Sequence, residues 1–189
     1  AGCGIAVALG RRAMTNGAED PEEIEARTGL PVYVAVPHSD AERRLHRRSL
    51  QESQVPPSAL AFAAPDDVAV ESFRSLRTSL QFALLESRNN IVAITGPSPD
   101  VGKSFVAVNL AHVLASPERK VLLVDADLRR GRLHRAFGVE RQPGVSEILG
   151  GQARLETAIR ATANPHLHVL ATGRLPPNPA ELVASKRFE

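Results

Sequence analysis

The sequence that decides the fold is Ile91-Val92-Ala93-Ile94-Thr95-Gly96-Pro97-Ser98-Pro99-Asp100-Val101-Gly102-Lys103-Ser104. Its apolar and β-branched opening predicts a strand over 91–95, and the apolar pattern after Gly102 predicts a helix over 103–115. A turn that ends in Gly-Lys-Ser between a strand and a helix is typical of a phosphate-binding loop. In such a loop backbone N–H groups point at an anion, the lysine reaches the β- and γ-phosphates, and the serine hydroxyl coordinates Mg²⁺.

The whole loop is therefore the candidate nucleotide-binding site. It comprises Gly96, Pro97, Ser98, Pro99, Asp100, Val101, Gly102, Lys103 and Ser104. The spacing departs from the strict pattern, because five residues instead of four separate the two glycines, and Pro97 stands at the strict first position. A chance Gly-Lys-Ser tripeptide in a surface loop is the alternative, but the flanking strand and helix argue against it.

A second strand supplies the candidate catalytic carboxylates. The fully apolar run 121–124 ends in Asp125-Ala126-Asp127. Ligands of open α/β sheets bind at the carboxyl ends of the strands, so we expect both carboxylates near the loop. A carboxylate there holds Mg²⁺ or accepts the proton of an attacking hydroxyl. The candidate catalytic residues are Lys103, Asp125 and Asp127, and the candidate metal ligands are Ser104 and Asp125. The alternative that an aspartate only caps the next helix stays open, more for Asp127 than for Asp125.

Strands that alternate with helices predict an α/β fold of the P-loop NTPase type, with a doubly wound parallel sheet that is incomplete in this chain. A third strand is expected over 167–171, and short helices are expected around 133–137, 145–149 and 155–161. A long helix, capped by Asp66 or Asp67, is expected to run to about Arg88. Its apolar stripe consists of Val70, Phe73, Leu76, Leu80 and Leu84.

Composition excludes several classes of protein. The 189 residues are 43% hydrophobic with a net charge of +2, which is incompatible with a disordered tail or a multi-span membrane protein. Cys3 is the one cysteine, so an internal disulfide and a cysteine zinc site are excluded. Aromatic residues are only 4% and there is no tryptophan, so we expect no nucleic-acid partner.

The front of the chain predicts contact with a membrane. Residues 1–9 carry no charge and would reach about 14 Å as a helix, roughly half of the ~30 Å hydrocarbon core. Because Arg11 and Arg12 follow this run, we interpret 1–14 as the end of a transmembrane helix with its cytoplasmic side at the arginines. A short buried helix is the alternative.

The remaining residues divide into three parts. Residues 15–37 are expected to form a juxtamembrane helix, capped by Asp20, and a strand over 31–37. Residues 38–65 are expected to form an Arg/Pro-rich linker, whose run Arg43-Arg44-Leu45-His46-Arg47-Arg48 is either a solvated basic stretch or a contact for anionic headgroups. Residues 66–189 are expected to form the phosphate-loop domain.

Together the loop and the run Asp125-Ala126-Asp127-Leu128-Arg129 resemble the bacterial tyrosine kinases, in particular the Wzc-like polysaccharide co-polymerases and autokinases. Glu71, Arg74 and Arg77 are similar to the family's Glu-x-x-Arg-x-x-Arg oligomerisation motif. The stretches 144–151 and 176–182 are also similar to the family. The resemblance covers nearly the whole chain and makes 66–189 the N-terminal part of a kinase domain.

The resemblance implies an ATP-dependent protein-tyrosine autokinase coupled to exopolysaccharide or capsule biosynthesis and export. It implies ATP and Mg²⁺ as cofactors, a ring-shaped homo-oligomer, the protein's own tyrosines as substrate and the polysaccharide export machinery as partner. It places the protein in the bacterial inner membrane with the kinase part in the cytoplasm. The family's third nucleotide box and tyrosine-rich tail are expected beyond Glu189, so we expect this piece to be a poor kinase. Tyr33 is the one tyrosine, and we expect it to be packed in its strand.

Two alternatives have different functions. A MinD- or ParA-like ATPase shares the fold, but its loop has a signature lysine where this chain has Ser98, and glycines where it has Pro99 and Asp100. An ATP-binding adaptor that regulates polysaccharide chain length without phosphoryl transfer is the other alternative. A tyrosine-rich tail in an extended sequence would favour the kinase.

Overall fold

The computed structural model describes residues 20–51, 59–85, 87–185 and 187–188, which belong to two compact units, 1–35 and 36–189. The first unit contains helix α1 (Pro21–Thr28). The Asp20 carboxylate accepts a hydrogen bond of 3.0 Å from the N–H of Glu22, and Gly29 ends the helix. The predicted helix and its cap are therefore confirmed. The predicted end of a transmembrane helix at 1–14 lies outside the described residues.

The strand predicted over 31–37 is wrong. These residues have no regular secondary structure, and Tyr33 is 58% exposed instead of packed. The physical reason is the lack of a ladder partner, since the N–H of Val32 donates to the Glu25 carboxylate at 2.7 Å. Pro31 and Pro37 at the two ends also have no N–H to donate to a neighbouring strand.

The second unit contains eight further helices and three strands among its described residues. Helices α2 and α3 lie within the predicted linker and were not anticipated. The elements are α2 (Asp40–Gln51), α3 (Leu60–Ala63), α4 (Val68–Leu85), α5 (Lys103–Leu114), β1 (Val121–Val124), α6 (Leu133–Phe137), α7 (Val145–Leu149), α8 (Leu155–Ala158), β2 (Ile159–Ala161), β3 (Leu167–Leu170) and α9 (Pro179–Val183).

The three strands form one mixed sheet in the order β1-β3-β2. Strand β1 runs parallel to β3, with Val121 opposite Leu167 and Val124 opposite Leu170, so both predicted strands and their parallel pairing are confirmed. Strand β2 runs antiparallel to β3 along the other edge. It occupies the end of the segment 155–161, which was predicted to be helical. The chain reverses direction between β2 and β3, so residues 159–161 pair with β3 as a strand.

The strand predicted over 91–95 is also wrong. These residues are exposed and have no regular secondary structure, and Ile91 is 77% exposed. Strands exist only as members of a ladder, and among the described residues β1 is paired with β3 alone. Apolar, β-branched composition predicts the tendency to form a strand but does not supply the neighbour.

The apolar core joins helices α2 to α5. Leu60, Ala69 and Val70 form one buried cluster, against which Leu45 and Phe105 pack. Phe73 is fully buried and meets Phe105 edge to face, with 5.7 Å between the ring centroids. The apolar stripe of α4 is therefore confirmed in its first half, and the helix begins after Asp67, whose carboxylate accepts from the N–H of Ala69 at 2.9 Å.

Candidate nucleotide-binding site

The predicted phosphate-binding loop leads directly into α5. Lys103 is the first residue of the helix, and Gly102 before it has φ +92°, a left-handed conformation that favours glycine. Within the described chain no side chain caps this end of α5, so the helix presents uncapped N–H groups and the positive end of its dipole. Lys103 Nζ donates a hydrogen bond of 2.7 Å to the carbonyl oxygen of Ser98.

The loop folds back on itself because Gly96 has no side chain. A Cβ atom at Gly96 would lie 2.9 Å from Cγ2 of Val101 and 3.2 Å from Cδ of Lys103. The other predicted loop residues, apart from Gly102 and Lys103, are exposed. They are Pro97, Ser98, Pro99, Asp100, Val101 and, at the start of α5, Ser104. The structure therefore brings all nine predicted residues together around the start of α5.

Asp125 is buried directly after β1, with 4% of its surface exposed. One carboxylate oxygen accepts from the N–H of Leu133 at 2.9 Å, and the other accepts from the N–H of Asp127 at 3.3 Å. Burial raises the pKa of Asp125, while these backbone hydrogen bonds and the positive charge of Arg141 oppose the rise. Because Leu133 opens α6, Asp125 also caps that helix.

Asp127 is exposed and organises the turn that follows it. Its Oδ1 accepts from the N–H of Arg129 at 3.0 Å and of Arg130 at 2.8 Å, while its carbonyl oxygen accepts from the hydroxyl of Thr172 at 3.0 Å. These hydrogen bonds stabilise a turn and not a helix, so the carboxylate that caps the next helix is that of Asp125 and not that of Asp127. Both aspartates stabilise the backbone between β1 and α6.

Shared apolar packing places the second strand beside the loop helix. Val108 of α5, Leu133 of α6 and Leu123 of β1 meet in one cluster. Val108 lies five residues after Lys103, and Leu123 lies two residues before Asp125, so the carboxyl end of β1 lies beside the N-terminal half of α5. This is the placement that a P-loop site requires.

Sequence reasoning missed two polar residues near this edge. Two guanidinium nitrogens of Arg141, Nε and one Nη, are buried and have no hydrogen-bond partner among the described residues. Nδ1 of His134 is also buried and has no such partner. Burial lowers the pKa of His134, and the charge of Arg141 lowers it further. No spacing motif marks either residue, because tertiary packing brings Arg141 near both Asp125 and His134.

The residues of the predicted oligomerisation motif have partners within the chain. Arg74 pairs with Glu71 and donates to the carbonyl oxygen of Pro65 at 2.9 Å. Arg77 donates to the carbonyl oxygen of Val113 at 3.3 Å, near the C-terminal end of α5. Their part in a contact between subunits stays a prediction.

Among the described residues no helix combines the length and apolar character that crossing a membrane requires.

The described residues also contain no group of three or more histidine, cysteine or acidic side chains that could hold a metal ion. A magnesium ion bound through one or two protein oxygens plus phosphates and water needs no such group.

A protein-family model matches the centre of the chain. The CobQ/CobB/MinD/ParA nucleotide binding domain covers residues 92–170, from the start of the loop region to the end of β3. This match confirms a nucleotide-binding α/β fold of the P-loop type. Because MinD and ParA share the domain, it does not by itself separate the kinase from the positioning ATPase.

Curated relatives match nearly the whole chain. The tyrosine-protein kinase ptk of Acinetobacter johnsonii is 45% identical over 186 residues, which are 98% of this chain. The tyrosine-protein kinase etk of Escherichia coli K12 is 41% identical over 194 residues, and wzc of Salmonella typhimurium is 36% identical over 185 residues. The chain spans about a quarter of the length of these relatives, 25%, 26% and 25% respectively.

Solved structures extend the match to three dimensions. The BceF tyrosine kinase domain aligns with a TM-score of 0.85 and 44% identity, covering 92% of this chain and 69% of that one. The kinase domain of Escherichia coli ETK aligns with a TM-score of 0.81 and 42% identity, covering 91% of this chain and 67% of that one. Sequence identity and fold therefore agree over most of a kinase domain, and the chain belongs to the bacterial tyrosine kinase family.

Proposed function

We propose that this chain is the ATP-binding part of a protein-tyrosine autokinase. The observation that carries the proposal is the loop 96–104 at the uncapped start of α5, beside the carboxyl end of β1. A helix start with free N–H groups and a lysine suits the phosphates of a nucleotide. The relatives, which are named tyrosine kinases at 36–45% identity, favour phosphoryl transfer over a positioning ATPase.

Lys103 is the residue that changes partner when a nucleotide binds. Its ammonium group donates a hydrogen bond to the carbonyl oxygen of Ser98, and this bond keeps the side chain folded over the loop. Phosphate oxygens carry more charge than a carbonyl oxygen, so the ammonium group exchanges this neutral acceptor for the β- and γ-phosphates. Neutralising charge on the transferred group lowers the barrier to phosphoryl transfer.

Ser104 and Asp125 are the residues that would hold Mg²⁺. The hydroxyl of Ser104 is exposed at the helix start, and each Asp125 oxygen accepts one backbone hydrogen bond, which leaves capacity for a further contact. The metal ion, when bound, neutralises phosphate charge. Asp127 holds the turn after Asp125 in place, and its Oδ2, which accepts no hydrogen bond from the described residues, could accept the proton of an incoming hydroxyl.

The assembly follows from the resemblance and from charge. Glu71, Arg74 and Arg77 lie on α4 at steps of three, so one helix face offers both signs of charge. A contact between unlike patches is head to tail, and we propose that its rotation closes into a ring, which would bring tyrosines of one subunit to the nucleotide of the next. We place the full protein in the inner membrane, with this domain in the cytoplasm, acting with the polysaccharide export machinery.

Phosphorylation of the full-length protein tests the proposal. Purified protein is incubated with Mg²⁺ and γ-labelled ATP, and phosphotyrosine and free phosphate are measured for wild type and for Asp125→Asn. We expect phosphotyrosine in the wild type and at least a 100-fold loss in the variant with nucleotide binding retained. Bound ATP without phosphotyrosine indicates an adaptor, and free phosphate without phosphotyrosine indicates a MinD-like ATPase.

A further inference from the structure

Helix α2 carries an arginine-rich surface that the proposed kinase chemistry does not use. Arg43, Arg44, Arg47 and Arg48 are all exposed. At 100° per residue they fall within an arc of about 140° on one side of the helix. We call these four residues the arginine face. All four members are arginines, so the face offers charge alone.

The opposite side of α2 is packed against the protein. Ala41 and Leu45 contact the buried cluster that contains Leu60 and Val70, to which Phe105 of α5 also belongs. The arginine face therefore points away from the domain that carries the phosphate loop. Its arrangement is fixed by the amphipathic pattern of the helix and by the core beneath it.

Most of the charge of the arginine face has no partner among the residues that the structure describes. Arg43 forms an ion pair of 2.8 Å with Asp40 on the same helix. No ion pair joins Arg44, Arg47 or Arg48 to a carboxylate of the described residues. Four like charges on adjacent turns repel one another, so the face is suited to an external anion that lies across all of them.

Helix α2 is also held rigidly to the nucleotide domain. The hydroxyl of Ser39 accepts from the N–H of Glu42 at 3.0 Å and donates to the Asp67 carboxylate at 2.7 Å. Asp67 in turn accepts from the N–H of Ala69 at the start of α4. Ser39 is buried, so its hydrogen bonds to Glu42 and Asp67 are protected from water. A surface that binds the arginine face would therefore hold α4 and the neighbouring core in one orientation.

We infer that the arginine face is a contact for the anionic phospholipid headgroups of a membrane surface. Guanidinium groups bind phosphate in a two-pronged geometry, and a row of them matches a plane of phosphates. A nucleic acid fits less well, because α2 has no tryptophan, tyrosine or phenylalanine on which a base could stack. The predicted membrane-side arginine Arg12 lies 32 residues before Arg44. With α1 and the start of α2 helical, a chain of that length spans at most roughly 90 Å, so α2 can reach the same surface.

The inference is tested by vesicle binding of the 189-residue chain. Co-sedimentation is measured with vesicles of phosphatidylcholine alone and of phosphatidylcholine mixed with phosphatidylglycerol, at low and high NaCl. Neutral vesicles report any contribution of the apolar residues 1–9. The test variant replaces Arg43, Arg44, Arg47 and Arg48 by Gln. The matched control replaces the exposed cations Arg119, Lys120, Arg154 and Arg174 by Gln, which removes the same charge elsewhere.

We expect the wild type and the control to prefer anionic vesicles, with a preference that falls as salt rises. Each arginine at an anionic surface contributes about a fivefold increase in affinity, so the test variant should lose on the order of 100-fold or more of the preference. Circular dichroism should show an unchanged helix content, since the packed side of α2 is intact. The inference is overturned if the test variant and the control bind alike or if the wild type does not distinguish the two vesicles. It is also overturned if the four changes weaken binding to heparin but not to anionic vesicles.

Discussion

Lys103 Nζ and the carbonyl oxygen of Ser98 are joined by a hydrogen bond of 2.7 Å across the phosphate-binding loop. The bond occupies the lysine with a weak, neutral acceptor from its own loop. It keeps the ammonium group over the mouth of α5, where a phosphate would replace the carbonyl.

Replacing Lys103 by Met should weaken ATP binding by about 10- to 100-fold, the range expected for one hydrogen bond to a charged group. Methionine keeps the unbranched stem that packs against Gly96 but loses the charge. Calorimetric titration of the full-length protein with ATP and Mg²⁺ measures the effect. The control is Lys120→Met, a change at an exposed lysine before β1. Equal affinities for the two variants would contradict the assignment of Lys103.

The two aspartates should respond differently to substitution. In Asp127→Asn the side-chain oxygen still accepts from the N–H groups of Arg129 and Arg130, so the turn survives and phosphorylation should fall only about tenfold. In Asp125→Asn one of two buried backbone N–H groups loses its acceptor, which should cost about 1–3 kcal/mol of stability in addition to activity. Single-turnover phosphorylation and urea unfolding measure both effects. A larger kinetic loss at Asp127 would reverse the assignment.

Exchanging the charges of Glu71 and Arg74 should convert the proposed ring to monomers while the fold is retained. The double variant Glu71→Arg with Arg74→Glu keeps a pair of opposite charge within α4, and Arg77 keeps its bond to Val113. A contact between subunits would meet reversed charges and lose its complementarity. Sedimentation velocity of the complete cytoplasmic part measures the change, and the equivalent exchange of the exposed pair Glu23 and Arg27 is the control. A ring that survives the first exchange would refute this interface.

The stability of the domain should decrease as the pH falls from about 7.5 to 5.5. The ring of His112 contacts the rings of Phe62 and Phe137, with centroid distances of 5.8 and 5.6 Å, and burial lowers its pKa below 6.5. The unfolded chain therefore binds a proton that the folded chain resists, and this contribution to stability is complete only above pH 6.5. His112→Phe should reduce the pH slope in urea unfolding, and His134, whose pKa burial also lowers, contributes to the slope in the same direction. An unchanged slope would show that the environment of His112 does not disfavour protonation of its ring.

Replacing Asn109 by Ala should destabilise the domain by about 1–3 kcal/mol. Its side chain is 1% exposed, accepts from the N–H of Ala61 at 2.8 Å and donates to the carbonyl of Phe105 at 2.8 Å. Truncation leaves the part-buried N–H of Ala61 without its acceptor and removes a hydrogen bond between α3 and α5. Urea unfolding measures the loss, and Gln81→Ala on the exposed side of α4 should cost less than about 0.5 kcal/mol. Equal losses of stability at the two sites would show that the hydrogen bonds of Asn109 do not stabilise the domain.

The features that the sequence alone predicted are those whose physics is local. Gly102, Lys103 and Ser104 could be placed at a helix start because a tight turn and free N–H groups need only adjacent residues. The cap at Asp20, the first half of the α4 stripe and the apolar strands β1 and β3 follow from spacing in the same way. The family follows from several such motifs in one order along the chain.

Tertiary structure decided everything that depends on a distant partner. Residues 91–95 and 31–37 have the composition of strands but lack neighbours to pair with, so no ladder forms there. The buried hydrogen bond from Leu133 to Asp125 joins residues eight positions apart through packing, and Arg141 acts on the same carboxylate without any motif. The arginine face is basic in the sequence, but it faces outward only because Leu45 is held in the core on the other side of α2. Pairing and burial are properties of the folded chain, and no local pattern specifies them.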